Sequence, residues 1–185
     1  MPPSQATPQE QQAALHAAGA AARVLLRALP KSDLDLDIEE KADGSLVSSA
    51  DLASQKVIQD ILGTLDLPIL SEEAAAPAYG ERKSWTRFWL IDPLDGTESF
   101  LKSRSGFAVN IALCDATGPI LGVVADPLAN RMFVGGIGVP VHLAPLDGSK
   151  VRLIHPSAIQ RPYRLVTSWM EEAKLTDLVP PYIDP

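Results

Sequence analysis

An α+β fold is what the sequence predicts, and three observations predict it. A capped, alanine-rich helical stretch opens the chain, and a second helical stripe follows. From residue 68 onward, short apolar runs alternate with tight-turn residues. Helices first and strands afterwards favour layered α+β packing over a repeating strand–helix–strand unit.

The elements follow in order. Thr7, Pro8 and Glu10 read as N-cap, N1 and N3 of a capping box, and the helix they open runs to Leu29 before Pro30 stops it. Asp33 to Ile38 alternates acid and apolar, the period of a half-buried strand. Asp43-Gly44 is a hairpin turn by composition, and the chain then enters a second helix with the apolar set Leu52, Val57, Ile58, Ile61 and Leu62. Pro68 to Leu70 reads as a strand, and AAAPAYGERKS after it as a surface loop. Strands are expected at Phe88–Ile91, Phe107–Leu113, Ile120–Ala125, Arg131–Val134, Val141–Leu143 and Val151–Ile154. Turns at Thr117-Gly118, Asp126-Pro127 and Asp147-Gly148 separate several of them. Tyr163 to Thr167 would be one more strand, and Met170 to Leu178 a short helix. The expected division is an N-terminal domain over 1–160 and the start of a second over 161–185.

Composition narrows the function. With 185 residues, 46% apolar and 21% charged, the chain suits a globular core. Sixteen basic against 23 acidic residues leave a net charge of −7, so no broad basic field attracts a nucleic-acid polymer. An anionic substrate would need a local device, such as a metal ion or a helix end. No apolar run nears the roughly 20 residues that span a bilayer, so no transmembrane segment is expected. MPPSQATPQEQQ lacks the features of a secretory signal, and the single cysteine, Cys114, suits a reducing compartment. A cytoplasmic location is expected, with room for peripheral association at the inner membrane.

The chemistry concentrates in WLIDPLDGTESF, residues 89–100. Asp92 would end a buried strand, where an unpaired carboxylate is costly. Pro93 fixes the backbone, so Asp95 should land one turn later and close by. Two carboxylates so near repel each other, and protonation or a divalent cation relieves them. A hard cation takes oxygen ligands, and Leu94 offers a main-chain carbonyl between the two acids. Gly96 and Thr97 would then open a helix whose free N–H groups face an anion. The bland alternative is a capped turn with no ligand. Glu72 and Glu73, after another short strand, and Asp51, at the start of the second helix, supply further acids at element ends.

These residues resemble a known family. DPLDGTESF is similar to the Asp-Pro-x-Asp-Gly-Thr-x-x-Phe signature of the inositol monophosphatase superfamily, and KADGSLVSSAD and LSEE fall at its upstream spacings. FAVNIALC followed by GPILGVVADP most resembles its 3'(2'),5'-bisphosphate nucleotidase branch. The resemblance implies a layered α/β sandwich of the sugar-phosphatase type and a magnesium-dependent phosphomonoesterase. Its substrate would be small and phosphorylated, 3'-phosphoadenosine 5'-phosphate in that branch (sulfur metabolism), and a homodimer is a common state in the family. It implies that Glu72, Asp92 and the Leu94 carbonyl hold the first magnesium, and that Asp92 bridges to a second one held by Asp95. Thr97 and Asp51 would orient the attacking water, whose pKa Glu72 and the first metal lower. Gly96 and Thr97 would bind the phosphate through N–H groups, Lys41 would approach it, and Glu73 would support without ligating.

Three departures stand out. Glu98 occupies a position where the branch commonly has lysine, and Ser48 one where the family usually has threonine. The family's later Trp-Asp-x-Ala-Ala-Gly stretch, whose aspartate completes the second metal site, has no counterpart after Trp85, Trp89 or Trp169. The expectation is a truncated homologue with impaired turnover. An inositol monophosphatase-like phosphatase, an inactive remnant and a binding module remain as alternatives. A haloacid dehalogenase-type phosphatase fits poorly, because the two acids lie three apart with proline between them.

Overall fold

The computed structural model describes residues 4–31, 38–40 and 46–154, with 38–40 and 46–48 described at the level of the backbone only. The chain divides into two compact units, Met1–Ile154 and His155–Pro185, and the second lies outside the described residues. The strand expected at Tyr163 and the helix at Met170 fall there.

Helix α1 spans Pro8–Ala28. The Thr7 hydroxyl accepts from the Glu10 N–H at 3.2 Å, and the Glu10 carboxylate accepts from the Thr7 N–H at 2.6 Å, which completes the capping box. Its alanines at 14, 17, 18, 21 and 22, with Leu25, make a fully buried face. So flat a face lets backbone come close: the Leu146 carbonyl sits where a Cβ on Gly19 would be. Glu10 also ties α1 to the sheet, because Arg87 donates two hydrogen bonds to its carboxylate at 2.8 and 2.7 Å.

Strands β1 (Ile38–Glu40) and β2 (Leu46–Ser48) pair antiparallel, as a hairpin would, while the Asp43-Gly44 turn between them is outside the described residues. The expected strand at Asp33 to Ile38 also lies there, apart from Ile38 itself. Helix α2 (Ser49–Leu62) follows and ends in a single 3-10 turn, Gly63–Leu65. Its buried face is Ala50, Asp51, Ser54, Ile58 and Leu62. Leu52, expected in the apolar stripe, is 52% exposed. It stands about 100° around the helix from Asp51, and Asp51 is the residue that faces inward.

Seven strands make the main sheet, in the order β3-β4-β5-β6-β7-β8-β9. They are β3 (Ile69–Ser71), β4 (Arg87–Asp95), β5 (Ala108–Asp115), β6 (Gly118–Asp126), β7 (Arg131–Gly136), β8 (Val139–Ala144) and β9 (Arg152–Leu153). β3 and β4 are parallel and the rest form an antiparallel meander. The segment read as a loop after β3 contains one short helix, α3 (Tyr79–Arg82), and a second, α4 (Thr97–Lys102), follows β4. α1 packs on β5, β6 and β7 and α2 on β4, all over one sheet face. That face buries Trp89, Ile91, Val109, Ile111, Leu113, Leu121 and Val123 completely or nearly so. The opposite face carries Leu70, Leu90, Ala112 and Val124. Leu90 and Val124 are each 42% exposed there.

Candidate active site

β4 does not stop at Asp92; it runs on through Pro93 and Leu94 to Asp95. The expected turn between the aspartates is instead a bulge in the β4–β5 ladder. Asp92 pairs with Asn110 and Asp95 with Ala108, so β4 spends one residue more than its partner. Proline suits such a place, where a missing N–H costs no ladder bond. The bulge has a consequence for direction. In a regular strand, residues three apart face opposite sides. The extra residue restores parity, so Asp92, Asp95 and Asn110 all belong to one face, the one opposite α1 and α2.

Glu72 reaches the same place from β3. The pairs Leu70 with Leu90 and Ser71 with Ile91 set the register, and the Glu72 N–H donates to the Ile91 carbonyl at 3.2 Å. Glu72 and Asp92 come within hydrogen-bonding reach of one another. Burial first, then the charges of Glu72 and Asp95 and the contact with Glu72, push the Asp92 carboxyl up to about 7, against a small opposing pull from the Leu94 N–H. That N–H donates to Asp92 Oδ1 at 3.2 Å. Asp95 is exposed, and its Oδ2 accepts from Asn110 Nδ2 at 3.1 Å. Glu72, Asp92 and Asn110 line one end of a cavity of about 480 Å³, whose other walls include Leu70, Leu90, Ala112 and Val124.

On the helical side of β4, α2 supplies the second part of the site. Asp51 and Ser54 are wholly buried where an ordinary amphipathic helix would place apolar residues. Ser54 donates to the Pro93 carbonyl at 2.7 Å and so holds the bulge. Thr97 Oγ1 lies 3.0 Å from Asp51 Oδ1 and 3.2 Å from the Leu94 carbonyl. The hydroxyl has one proton to give, and the carboxylate is the stronger acceptor. Gly96, at φ +90°, turns the chain from β4 into α4, and a Cβ there would stand 2.8 Å from the Gly106 carbonyl. Only glycine fits that approach.

The predicted residues fall into groups. Glu72, Asp92 and Asp95 share a face and an electrostatic field; Asp51, Thr97 and the Leu94 carbonyl share hydrogen bonds; Gly96 joins the two groups. Lys41 lies outside the described residues, as does the side chain of Ser48. The Glu73 N–H donates to the Ser71 hydroxyl at 3.3 Å. Glu98 is turned away to Lys102 on the surface of α4, 2.7 Å distant. Among the described residues, no three acidic, histidine or cysteine side chains gather closely enough to form a complete metal cage. What fits a hard cation is the crowded Glu72–Asp92 pair, since its repulsion is what a dication relieves. Sequence reasoning missed Asn110 and Ser54. Their only signal is polarity at positions where VNIALC and the α2 stripe call for apolar residues.

A mixed sheet backed by two helices, with acids at the ends of neighbouring parallel strands, defines a layered α/β protein whose polar site sits where those strands end. The inositol monophosphatase family model matches residues 8–178, and the chain belongs to that family. The 3'(2'),5'-bisphosphate nucleotidase CysQ of Escherichia coli (strain K12) is 50% identical over 105 residues, covering 56% of this chain and 42% of that protein. The CysQ of Haemophilus influenzae is 31% identical over 146 residues, covering 77% of this chain and 54% of that one. The crystal structure of CysQ from Bacteroides thetaiotaomicron, a bacterial member of the family, superposes with a TM-score of 0.63 at 34% identity. That match covers 73% of this chain and 48% of that one. The chain thus spans about half the length of the relatives it matches.

Proposed function

We propose that the described unit carries the cation- and phosphate-binding half of a magnesium-dependent phosphomonoesterase. A 3'(2'),5'-bisphosphorylated nucleoside is the substrate class, and the cytoplasm its setting. The observation that carries this reading is the crowding at Asp92, a half-buried carboxylate pressed by Glu72 and Asp95. A dication bound between these carboxylates would relieve the repulsion without protonating them. The CysQ relatives support the nucleotide preference, and the family likeness supports phosphate-ester chemistry.

Glu72 and Asp92 would hold magnesium, with Leu94 and Asp95 completing the oxygen set. Bound magnesium would supply charge neutralisation and a lowered pKa for water. The chain's own residues do the rest. Asp51, buried and fixed on α2, accepts a hydrogen bond from the Thr97 hydroxyl, and this leaves the Thr97 oxygen lone pairs to accept from a water. Thr97 would then orient that water as a nucleophile. The Gly96 and Thr97 N–H groups open α4 without intrahelical partners and are suited to hold phosphate oxygens. Lys41 would add charge at the phosphate.

Phosphate release from 3'-phosphoadenosine 5'-phosphate tests the reading. Magnesium-dependent release, abolished by EDTA and by Asp51→Asn, is the expected result. Release that persists in EDTA would overturn the magnesium requirement.

A further inference from the structure

We propose that Asn110 is a positioning residue for Asp95, fixing the carboxylate so that its free oxygen faces a cation. This inference rests on the cation site proposed above and deepens it.

Two independent features place Asn110 there. The ladder sets it opposite Asp92, and residues directly opposite in an antiparallel pair share a face with Cβ atoms roughly 5 Å apart. The bulge then brings Asp95 back to that face, where the Asn110 carboxamide donates to Oδ2 at 3.1 Å. One residue therefore stands beside both aspartates and lines the cavity that Glu72 and Asp92 enter.

The chemistry of the side chain matters as much as its place. A lysine here would neutralise Asp95 and compete with a dication. A carboxamide donates one hydrogen bond and adds no charge, so the acidic field survives. It also removes one of the two oxygens from the choice of orientations open to an exposed aspartate. Partners that orient a ligating carboxylate are typically worth about 10- to 100-fold in metal affinity. Without the bulge, Asp95 would face α2 and the hydrogen bond could not form. The strand irregularity and Asn110 thus work as one device.

A double-mutant cycle read by calorimetric magnesium titration tests this, on the whole chain and apart from any turnover. The four proteins are wild type, Asn110→Leu (similar volume, no donor), Asp95→Ala, and both together. Each single change should weaken magnesium binding by about 10-fold or more. The double variant should be no worse than about threefold beyond Asp95→Ala, because Asn110 acts only through Asp95. Asn110→Gln, which keeps the donor, should recover most of the loss. If Asn110→Leu does not fold, judged by its thermal transition without metal, Asn110→Ala takes its place in the cycle. Wild-type affinity in the Asn110 variant, or losses that multiply in the double variant, overturns the assignment of Asn110 alone. Wild-type binding that is untouched by Asp95→Ala also overturns it and leaves the Glu72–Asp92 reading intact. No magnesium binding by the wild type at millimolar concentration overturns both.

Discussion

At Asp92, three effects compete, and their balance can be measured. Burial and the charges of Glu72 and Asp95 disfavour the carboxylate, while one N–H from Leu94 favours it. In metal-free protein near pH 8 the charge is a net cost. Each unit of pKa displacement corresponds to about 1.4 kcal/mol, and half-burial calls for a substantial discount. Asp92→Asn should therefore stabilise the metal-free protein by about 1–2 kcal/mol in urea unfolding, and should abolish the stabilisation that magnesium gives the wild type. A variant that loses stability without metal would contradict the crowding. Gly96 makes a second test. Gly96→Ala combines a positive φ with a Cβ at 2.8 Å from the Gly106 carbonyl, and should cost about 2–4 kcal/mol in the same measurement.

Among the elements, α1 and β4 are joined by the Glu10–Arg87 pair, whose side chains are 10% and 21% exposed. Burial alone would raise the Glu10 carboxyl, but the Arg87 hydrogen bonds, the Thr7 N–H and hydroxyl and the Arg87 charge together hold it below the ordinary glutamate value. A carboxyl lowered in the folded state stabilises above its unfolded pKa of about 4.3, and that contribution fades as pH falls through the folded value. Glu10→Gln should cost about 1–3 kcal/mol at pH 7, and the difference from wild type should shrink steadily below pH 4. A difference that stays constant to pH 2.5 would contradict this. The elements also show what the sequence could reveal. Capping at Thr7 and the meander turns are local chemistry, so α1 and the strands of the sheet were legible within a few residues. The bulge was not, because Pro93 is equally compatible with a turn and only pairing with β5 decides. Leu52 misled for a related reason: Asp51 and Ser54 hold the inward positions, bonded to Thr97 and the Pro93 carbonyl, and this rotates the buried face of α2.

Across the whole unit, carboxylates from β3 and β4 meet on one sheet face while a hydroxyl–carboxylate pair reaches the same turn from α2 and α4. The residue types of this site were legible in the sequence, but their separation into two groups astride β4 was not. That separation comes from strand parity, which a list of motif positions does not contain. The relatives that this chain matches extend to about twice its length. Crystals of the chain soaked in manganese, a dication with a strong anomalous signal, give the sharpest test. The account predicts an anomalous peak beside the carboxylates of Glu72 and Asp92, lost in Asp92→Asn; no peak there at millimolar manganese, with the ion bound elsewhere or not at all, would contradict it.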